Sequence, residues 1–383
     1  MTSIRETAGR PDVVSARPAG SGAALAAPGV IFIVSRGFLA VVARYATSLI
    51  PALHRYPSLL PRDHLAPGVW AWLSPWFRFD ARWYVDVAEH GYRYGAISQT
   101  NTNFFPLYPL LIRGAQVLTL GNPWFAALLV ANAAFLAALL LLWSWADLKW
   151  DQQVALRCVL LTVAFPFAFF FAAPYAEPVF LALAVAAFYL AEQRRWGWAA
   201  AAAGFSAITR PVGVAVVAGL VVLALWRGDR RAAVKAALGI LPFLGFVAYL
   251  WAVTGHPLAF AVYHTAGWVP PHGSVLHTVA SQFHTRLSPF DRIDAALSAI
   301  FLLSGLFVWR MMGAGYGVLV LLGVFLPLTR SLAGMERYCA VLFPVFALWA
   351  RRRNPFIQVS LFSLSLLALT IATVMFAAGY AIF

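Results

Sequence analysis

Charge is scarce in this chain. Charged residues make up 11% of its 383 positions, against about 25% in soluble domains. With 62% hydrophobic residues and a mean hydropathy of +0.77, most of the surface needs an apolar solvent, which excludes a water-soluble globule. Acidic residues are the rarer sign, 14 against 28 basic, leaving a net charge of +14. Cysteine occurs twice, as Cys158 and Cys339. The topology derived below sets them on opposite sides of the membrane, too far apart for a disulfide. Glycine-rich phosphate loops, a Ser-His-Asp order, CxxC pairs and an internal repeat are all missing. So is the ten-residue alternation of a membrane barrel.

What is present is a succession of apolar runs, most near the ~20 residues needed to span a bilayer. They fall at about 29–50, 122–146, 154–173, 176–192, 197–210, 211–227, 235–254, 292–310, 313–329, 338–350 and 356–380. The expected fold is an all-α polytopic membrane protein of about eleven transmembrane helices in one domain, 29–383. Residues 1–28, polar and then rich in Ala, Gly and Pro, read as a disordered cytoplasmic tail rather than a cleaved leader.

The basic residues settle the expected orientation. With the N-terminus inside, Lys149, Arg194 and Arg195, Arg227, Arg230, Arg231 and Lys235, Arg310, and Arg351 to Arg353 all fall in cytoplasmic loops. This distribution is one of membrane topology and excludes a nucleic-acid stripe. The outer side then carries a long first loop, 51–121, containing interfacial helices, a turn at 174–177, a second loop at 255–291 and a turn at 329–337. The charges that topology leaves unexplained lie there: Asp80, Asp86, Glu89, Glu177, Arg210, Arg330, Glu336 and Arg337. Charge facing a membrane cavity is a functional-site hypothesis in itself.

Asp80 precedes a short amphipathic segment closed by Gly91, with Trp83, Tyr84, Val87 and Ala88 on its apolar stripe. It serves as a helix N-cap, as a catalytic carboxylate, or as both. Asp86 lies nearly two turns on, and Glu89 falls near the helix end, where Arg82 or Arg93 offers a partner. Asn103 to Leu111 is rich in Phe, Pro and Tyr; Pro106 and Pro109 argue against a regular helix through it. Its aromatics, Phe105 and Tyr108 among them, either anchor a re-entrant loop or form a cavity wall that stacks on a sugar. Glu177 sits in a cap position before Pro178, or contacts an acceptor sugar. Arg210 and Arg337 present planar forks suited to phosphate; they serve equally as interfacial anchors or as partners of Glu177 and Glu336. His256, His264, His272, His277 and His284 lack the spacing of a metal site, so no metal is expected.

Together these residues resemble a known family. Phe79-Asp80-Ala81-Arg82-Trp83-Tyr84, Ala88-Glu89-His90-Gly91-Tyr92 and Asn103-Phe104-Phe105-Pro106-Leu107-Tyr108-Pro109 are similar to the signature of the PIG-V-type mannosyltransferases, GT-C class integral membrane glycosyltransferases. Pro174-Tyr175-Ala176-Glu177 resembles that family's Pro-Tyr-Ser-Glu turn, with Ala176 for Ser. Thr209-Arg210, Glu336-Arg337-Tyr338 and Phe343-Pro344 extend the resemblance, which runs from about residue 79 to 350.

The resemblance implies an inverting transfer of mannose from a polyprenyl-phosphate donor to a hydroxyl of a lipid- or glycan-linked acceptor, at the outer face of a bacterial cell membrane. It implies Asp80 as the catalytic carboxylate, Arg210 and Arg337 on the donor phosphate, and Glu177, Trp83, Tyr84, Phe105 and Tyr108 around the sugars. No cofactor or metal is implied, and the expected partners are the lipid-linked donor, the acceptor and membrane lipids. Another lipid-phosphate sugar transferase, arabinosyl or glucosyl, is the nearest alternative. A flippase of lipid-linked sugars is the alternative from another class, and it predicts charges near the midplane on broken helices.

Overall fold

Asn122 and Asn354 each open a long helix in the same way. Their side-chain oxygens accept the free N–H groups of the first turn (Trp124 N 3.0 Å and Phe125 N 3.1 Å; Phe356 N 3.0 Å and Ile357 N 3.4 Å), and a proline fills the first helical position. Asp151 and Asp229 cap two further helices, accepting from Val154 N at 2.8 Å and Ala232 N at 2.9 Å. The computed structural model describes residues 22–50, 57–62, 65–93, 100–262 and 289–380, and these are helical throughout with no strand among them.

In chain order the helices are α1 (Gly22–Leu49), α2 (Pro67–Leu73), α3 (Ala81–His90), α4 (Leu107–Ala115), α5 (Pro123–Lys149), α6 (Gln152–Ala164), α7 (Glu177–Glu192), α8 (Trp196–Ala207) and α9 (Val214–Trp226). There follow α10 (Arg230–Ala237), α11 (Leu241–Thr254), α12 (Ala259–Val262), α13 (Pro289–Met312), α14 (Ala314–Leu328), α15 (Met335–Ala340), α16 (Phe343–Ala350) and α17 (Pro355–Ala377).

Among the described residues five helical stretches are long and apolar enough to cross a membrane: Ala26–Leu49, Pro123–Lys149, Arg230–Thr254 (α10 and α11 joined by a 3-10 turn), Pro289–Met312 and Pro355–Ala377. The other runs are shorter or broken, and proline sets the breaks. Pro166 ends the run expected over 154–173 at Ala164, with Phe165 driven to an extended ψ of 138°, and the chain continues as a 3-10 turn over Ala168–Phe171. Pro211 stops the run at 197–210 in the same manner, leaving a helix of 12 residues. The run at 338–350 divides into α15 and α16 ahead of Pro344.

Two boundaries differ from expectation. Helix α1 begins at Gly22, so the last residues assigned to the N-terminal tail are helical, with Pro28 inside the helix. The segment holding Pro106 and Pro109 also becomes a helix, α4. Pro106 occupies its cap and Pro109 its third position, where a backbone N–H has no intrahelical partner to lose.

The helices pack through small residues. A Cβ on Gly315 of α14 would lie 2.5 Å from the Gly219 carbonyl oxygen of α9, and one on Gly219 would lie 2.8 Å from that of Gly315. The two backbones touch there, which only glycine permits. At one end of the bundle α5, α7, α9 and α14 are latched by Glu192. It receives Lys149 Nζ at 2.7 Å, Tyr316 Oη at 2.6 Å and Arg227 Nη2 at 2.5 Å, while Trp145 Nε1 donates to Tyr316 Oη at 2.9 Å. Glu177 stands at the other end of α7, some 22 Å along the axis at 1.5 Å per residue. Cys158 and Cys339 are buried and free.

Gly315→Ala is expected to destabilise the protein by about 1–3 kcal/mol, the usual effect of overpacking, with no change in charge. Thermal unfolding in detergent, compared with Gly245→Ala where a Cβ meets nothing within 4 Å, checks this.

Candidate active site

Four separate segments deliver one ion chain. Asp80 stands at the start of α3, Glu177 opens α7, Arg210 follows α8, and Arg337 lies in the six-residue α15. Arg337 Nη1 meets Asp80 Oδ2 at 2.5 Å, and its Nε donates to Glu177 Oε1 at 2.6 Å. Arg210 Nη1 lies 2.9 Å from the same Glu177 oxygen. Acid and base therefore alternate in the order Asp80, Arg337, Glu177, Arg210.

Local structure explains how each residue is aimed. Phe79 has φ of +51°, in the left-handed region where a bulky residue is strained. Its neighbours hold it there. Arg78 Nη2 donates to the Ala377 carbonyl at 2.6 Å, Tyr175 Oη donates to the Arg78 carbonyl at 3.0 Å, and the Phe79 ring packs 5.7 Å from Phe376. This bend turns Asp80 toward Arg337. Asp80 is the residue before α3, yet its side chain makes no capping hydrogen bond; the carboxylate is committed to the ion chain. Gly91 ends the helix with φ of +76° and ψ of −164°, a backbone region open to glycine and not to other residues. Arg210 is extended at φ −152°, ψ 150°, the conformation imposed on a residue before proline. Glu177 is itself the first residue of α7, with Ala176 in the cap position, so Pro178 comes second.

Burial divides the roles. The Glu177 side chain is 0% exposed, those of Arg210 and Arg337 6% and 9%, and that of Asp80 16%. Glu177 Oε2 has no hydrogen-bond partner among the described residues. Burial opposes the charge on Arg337, but Glu177 and Asp80 more than reverse this and raise its pKa well above the ordinary value. Aromatic faces line the cations: Arg337 lies 4.8 Å over Tyr175 and 5.2 Å over Phe170, and Arg210 lies 4.5 Å over Tyr338. Asp80 is the most exposed of the four side chains.

The aromatic candidates separate. Trp83 is half-buried, stacked at 6.0 Å and 18° on Phe104 with Arg82 4.3 Å over its ring. Tyr84 is buried edge-on against Phe104, Tyr108 and Tyr175, and burial holds its phenol well above the usual pKa. Tyr108 is wholly buried, donating to the Ala127 carbonyl at 2.8 Å. Phe105 belongs to a satellite cluster with Phe246, Leu250 and Ala259. The faces of Tyr84, Tyr108 and Phe105 are thus spent on protein; Trp83 is the half-buried one of the four, with Phe104 and Arg82 against its ring. Glu177 is likewise enclosed, as the bridge between two guanidiniums.

Two pairings differ from the expected ones. Arg93 goes to Asp86 at 2.5 Å, not to Glu89, because Asn101 Nδ2 donates to the other Asp86 oxygen at 2.9 Å and draws the chain after Gly91 onto it. Glu336 faces Asp294 rather than Arg337, since adjacent residues on a helix point about 100° apart. The supporting residues Arg78, Phe170 and Tyr175 have no charge-pattern signal of their own; Tyr175 is marked only by its place beside Glu177. Among the described residues no three His, Cys, Asp or Glu side chains group as metal ligands. His264, His272, His277 and His284 lie outside the described residues, as does most of the second outer loop.

Glu177→Gln removes the shared anion and leaves two buried guanidiniums facing each other. It is expected to cost roughly 3–5 kcal/mol, the cost of breaking a buried pair, read as a fall in unfolding temperature well beyond that of Asp86→Asn at the exposed cluster.

No protein-family profile matches the chain, and no curated protein matches it. Among solved structures it is similar to the oligosaccharyltransferase of Archaeoglobus fulgidus, crystallised with zinc and sulfate. The identity is 12% over 91% of this chain and 53% of that one, with a TM-score of 0.47. The chain spans about half the length of that protein, and a likeness this slight decides neither fold nor chemistry.

Proposed function

We propose that the chain is an inverting membrane glycosyltransferase that moves a sugar, mannose by its motifs, from a polyprenyl-phosphate donor to a hydroxyl of a lipid- or glycan-linked acceptor. One observation carries this reading: four motif residues from distant segments meet as an alternating ion chain whose exposed end is Asp80. A structural subunit has no need of such a convergence, and a flippase needs its charges near the midplane rather than at one end of the helices.

In the proposed reaction the acceptor oxygen attacks the anomeric carbon as the bond from that carbon to the phosphate oxygen breaks, inverting the centre. Asp80 takes the hydroxyl proton. The polyprenyl phosphate leaves with one more negative charge, which Arg337 and Arg210 stabilise. Arg337 commits Nε and Nη1 to Glu177 and Asp80, leaving Nη2 for the phosphate. Glu177 positions both arginines rather than the acceptor, and Trp83 is the least enclosed of the aromatic candidates. A donor with a lipid tail also fits the surroundings. A cavity of about 420 Å³ opens between α3, α4 and α11, lined by Val87, Tyr92, Pro109, Leu110, Phe246 and Tyr249, with Arg113 at its edge. Val87 lies about 10 Å along α3 from Asp80, so the first isoprene units sit beside the reacting phosphate. The basic loops crowd the opposite end of the helices, which by the positive-inside rule supports the reading of an outward-facing site.

Purified protein in nanodiscs is expected to transfer sugar from polyprenyl-phosphate mannose to acceptors in a bacterial membrane extract, with arabinosyl and glucosyl donors run alongside. Folded Asp80→Asn is expected to lose 10²–10⁴-fold in rate, the worth of a general base. Equal rates for the two proteins make Asp80 structural and overturn the mechanism. Arg210→Gln is expected to raise the KM for donor more than for acceptor; equal effects on both remove it from the phosphate.

A further inference from the structure

The turn that carries Arg337 is held by a second acidic cluster, which the proposed reaction does not use. Asp294 projects from α13, within a membrane-spanning helix, and is 4% exposed; Glu336 is 2% exposed. Asp294 Oδ1 accepts the Glu336 backbone N–H at 3.1 Å, and its Oδ2 accepts the Gly334 N–H at 3.3 Å. A side chain of one helix thus caps the first turn of another, α15. Gly334 enters that turn at φ +87°, a conformation other residues adopt only under strain.

The Glu336 carboxyl is buried beside Asp294, whose Oδ1 accepts the Glu336 backbone N–H. Neither Glu336 side-chain oxygen has a hydrogen-bond partner among the described residues. Two carboxylates have no proton to share, and side by side in a dry site they repel. A dry carboxyl with no donor to pair with is held neutral, which leaves one proton on the pair.

We propose that Asp294 and Glu336 act as a one-proton carboxyl pair that positions the 334–337 turn, and through it sets Arg337 against Asp80 and Glu177. Glu336 is a positioning residue here, one position from the guanidinium it places. The proton stays on the pair because burial and the neighbouring charge of Asp294 push the Glu336 carboxyl well above its usual range. The other groups facing the pair are few. Asp291, one turn earlier on α13, favours the proton; Arg337 opposes it; Cys339 on α15 is neutral. Helix α14 carries Tyr316 alone, at its far end, and α16 no titratable group.

The sign of the pH effect follows. A carboxyl whose pKa is higher in the folded than in the unfolded state contributes stability at low pH, and loses it as pH rises from the ordinary carboxylate range through the raised value. On ionisation the proton goes to solvent, both carboxylates repel, and the turn loosens around Arg337.

The test compares wild type with Glu336→Gln, whose amide donates to Asp294 but does not ionise. Infrared difference spectra are expected to show a protonated carboxyl C=O band in the wild type at neutral pH that is absent from E336Q. The unfolding temperature of the wild type is expected to fall from about pH 5 upward, and that of E336Q to fall less. If E336Q does not fold, the D294N/E336Q double variant, an amide pair of nearly the same shape, takes its place. A band absent from both proteins or equal in both, or parallel unfolding curves, overturns the proposal. The activity arm rests on the transfer reading: the alkaline loss of sugar transfer is expected at higher pH in E336Q than in the wild type, and coincident profiles overturn the link to Arg337. If the wild type transfers no sugar, the transfer reading fails, while the infrared and unfolding results still decide the pair.

Discussion

Arg337 lies between two carboxylates, and the site depends on that placement. Its Nε and Nη1 reach Glu177 and Asp80 at 2.6 and 2.5 Å, which ties the start of α3 to the start of α7 through a helix of six residues. Burying an ion carries a penalty of several kcal/mol even after relaxation. The chain offsets it by alternating sign: each interior charge has an opposite neighbour on both sides, and aromatic faces from Tyr175, Phe170 and Tyr338 cover the cations. Two carboxylates and two guanidiniums sum to zero, so the cluster persists in an apolar setting. Its loose end is Asp80, where the chemistry is assigned.

A second ion cluster at the far end of α7 has the opposite character. Glu192 gathers Lys149, Arg227 and Tyr316 from three other helices, on the side where the basic loops lie. Between the two clusters the bundle is held by apolar contact and by close backbone approach, as at Gly219 and Gly315. The ion clusters thus lie at the two ends of α7, with apolar packing between them. The segregation also gives the molecule a direction: one end latches helices together, and the other presents a reachable carboxylate beside an apolar cavity.

The class of fold was legible in the apolar runs, a signal carried by composition over about 20 residues at a time. Span lengths were less so. Hydropathy continues through Pro166 and into Phe343, whereas the helix stops, because proline acts on backbone geometry and leaves composition untouched. In the site, Asp80, Glu177, Arg210 and Arg337 stood out as outer-face charges without a topological reason. The aromatic candidates were harder to separate. A Phe or Tyr near an active-site motif serves equally as cavity wall and as packing, and Tyr84, Tyr108 and Phe105 turned inward once Phe104, Tyr175 and Phe246 supplied faces to pack on.

The sequence by itself determined that this is an apolar, all-helical chain with its unexplained charges gathered toward one side. Those properties follow from composition and from signals spanning one or two turns. Only the tertiary structure decided the partners. That Arg337 belongs to Asp80, 257 positions away, and to Glu177, 160 away, while Glu336 beside it belongs to Asp294, is written in no local pattern. A charge in a low-dielectric interior takes whichever opposite group the packing of distant helices brings within about 3 Å, and that packing is a property of the whole chain.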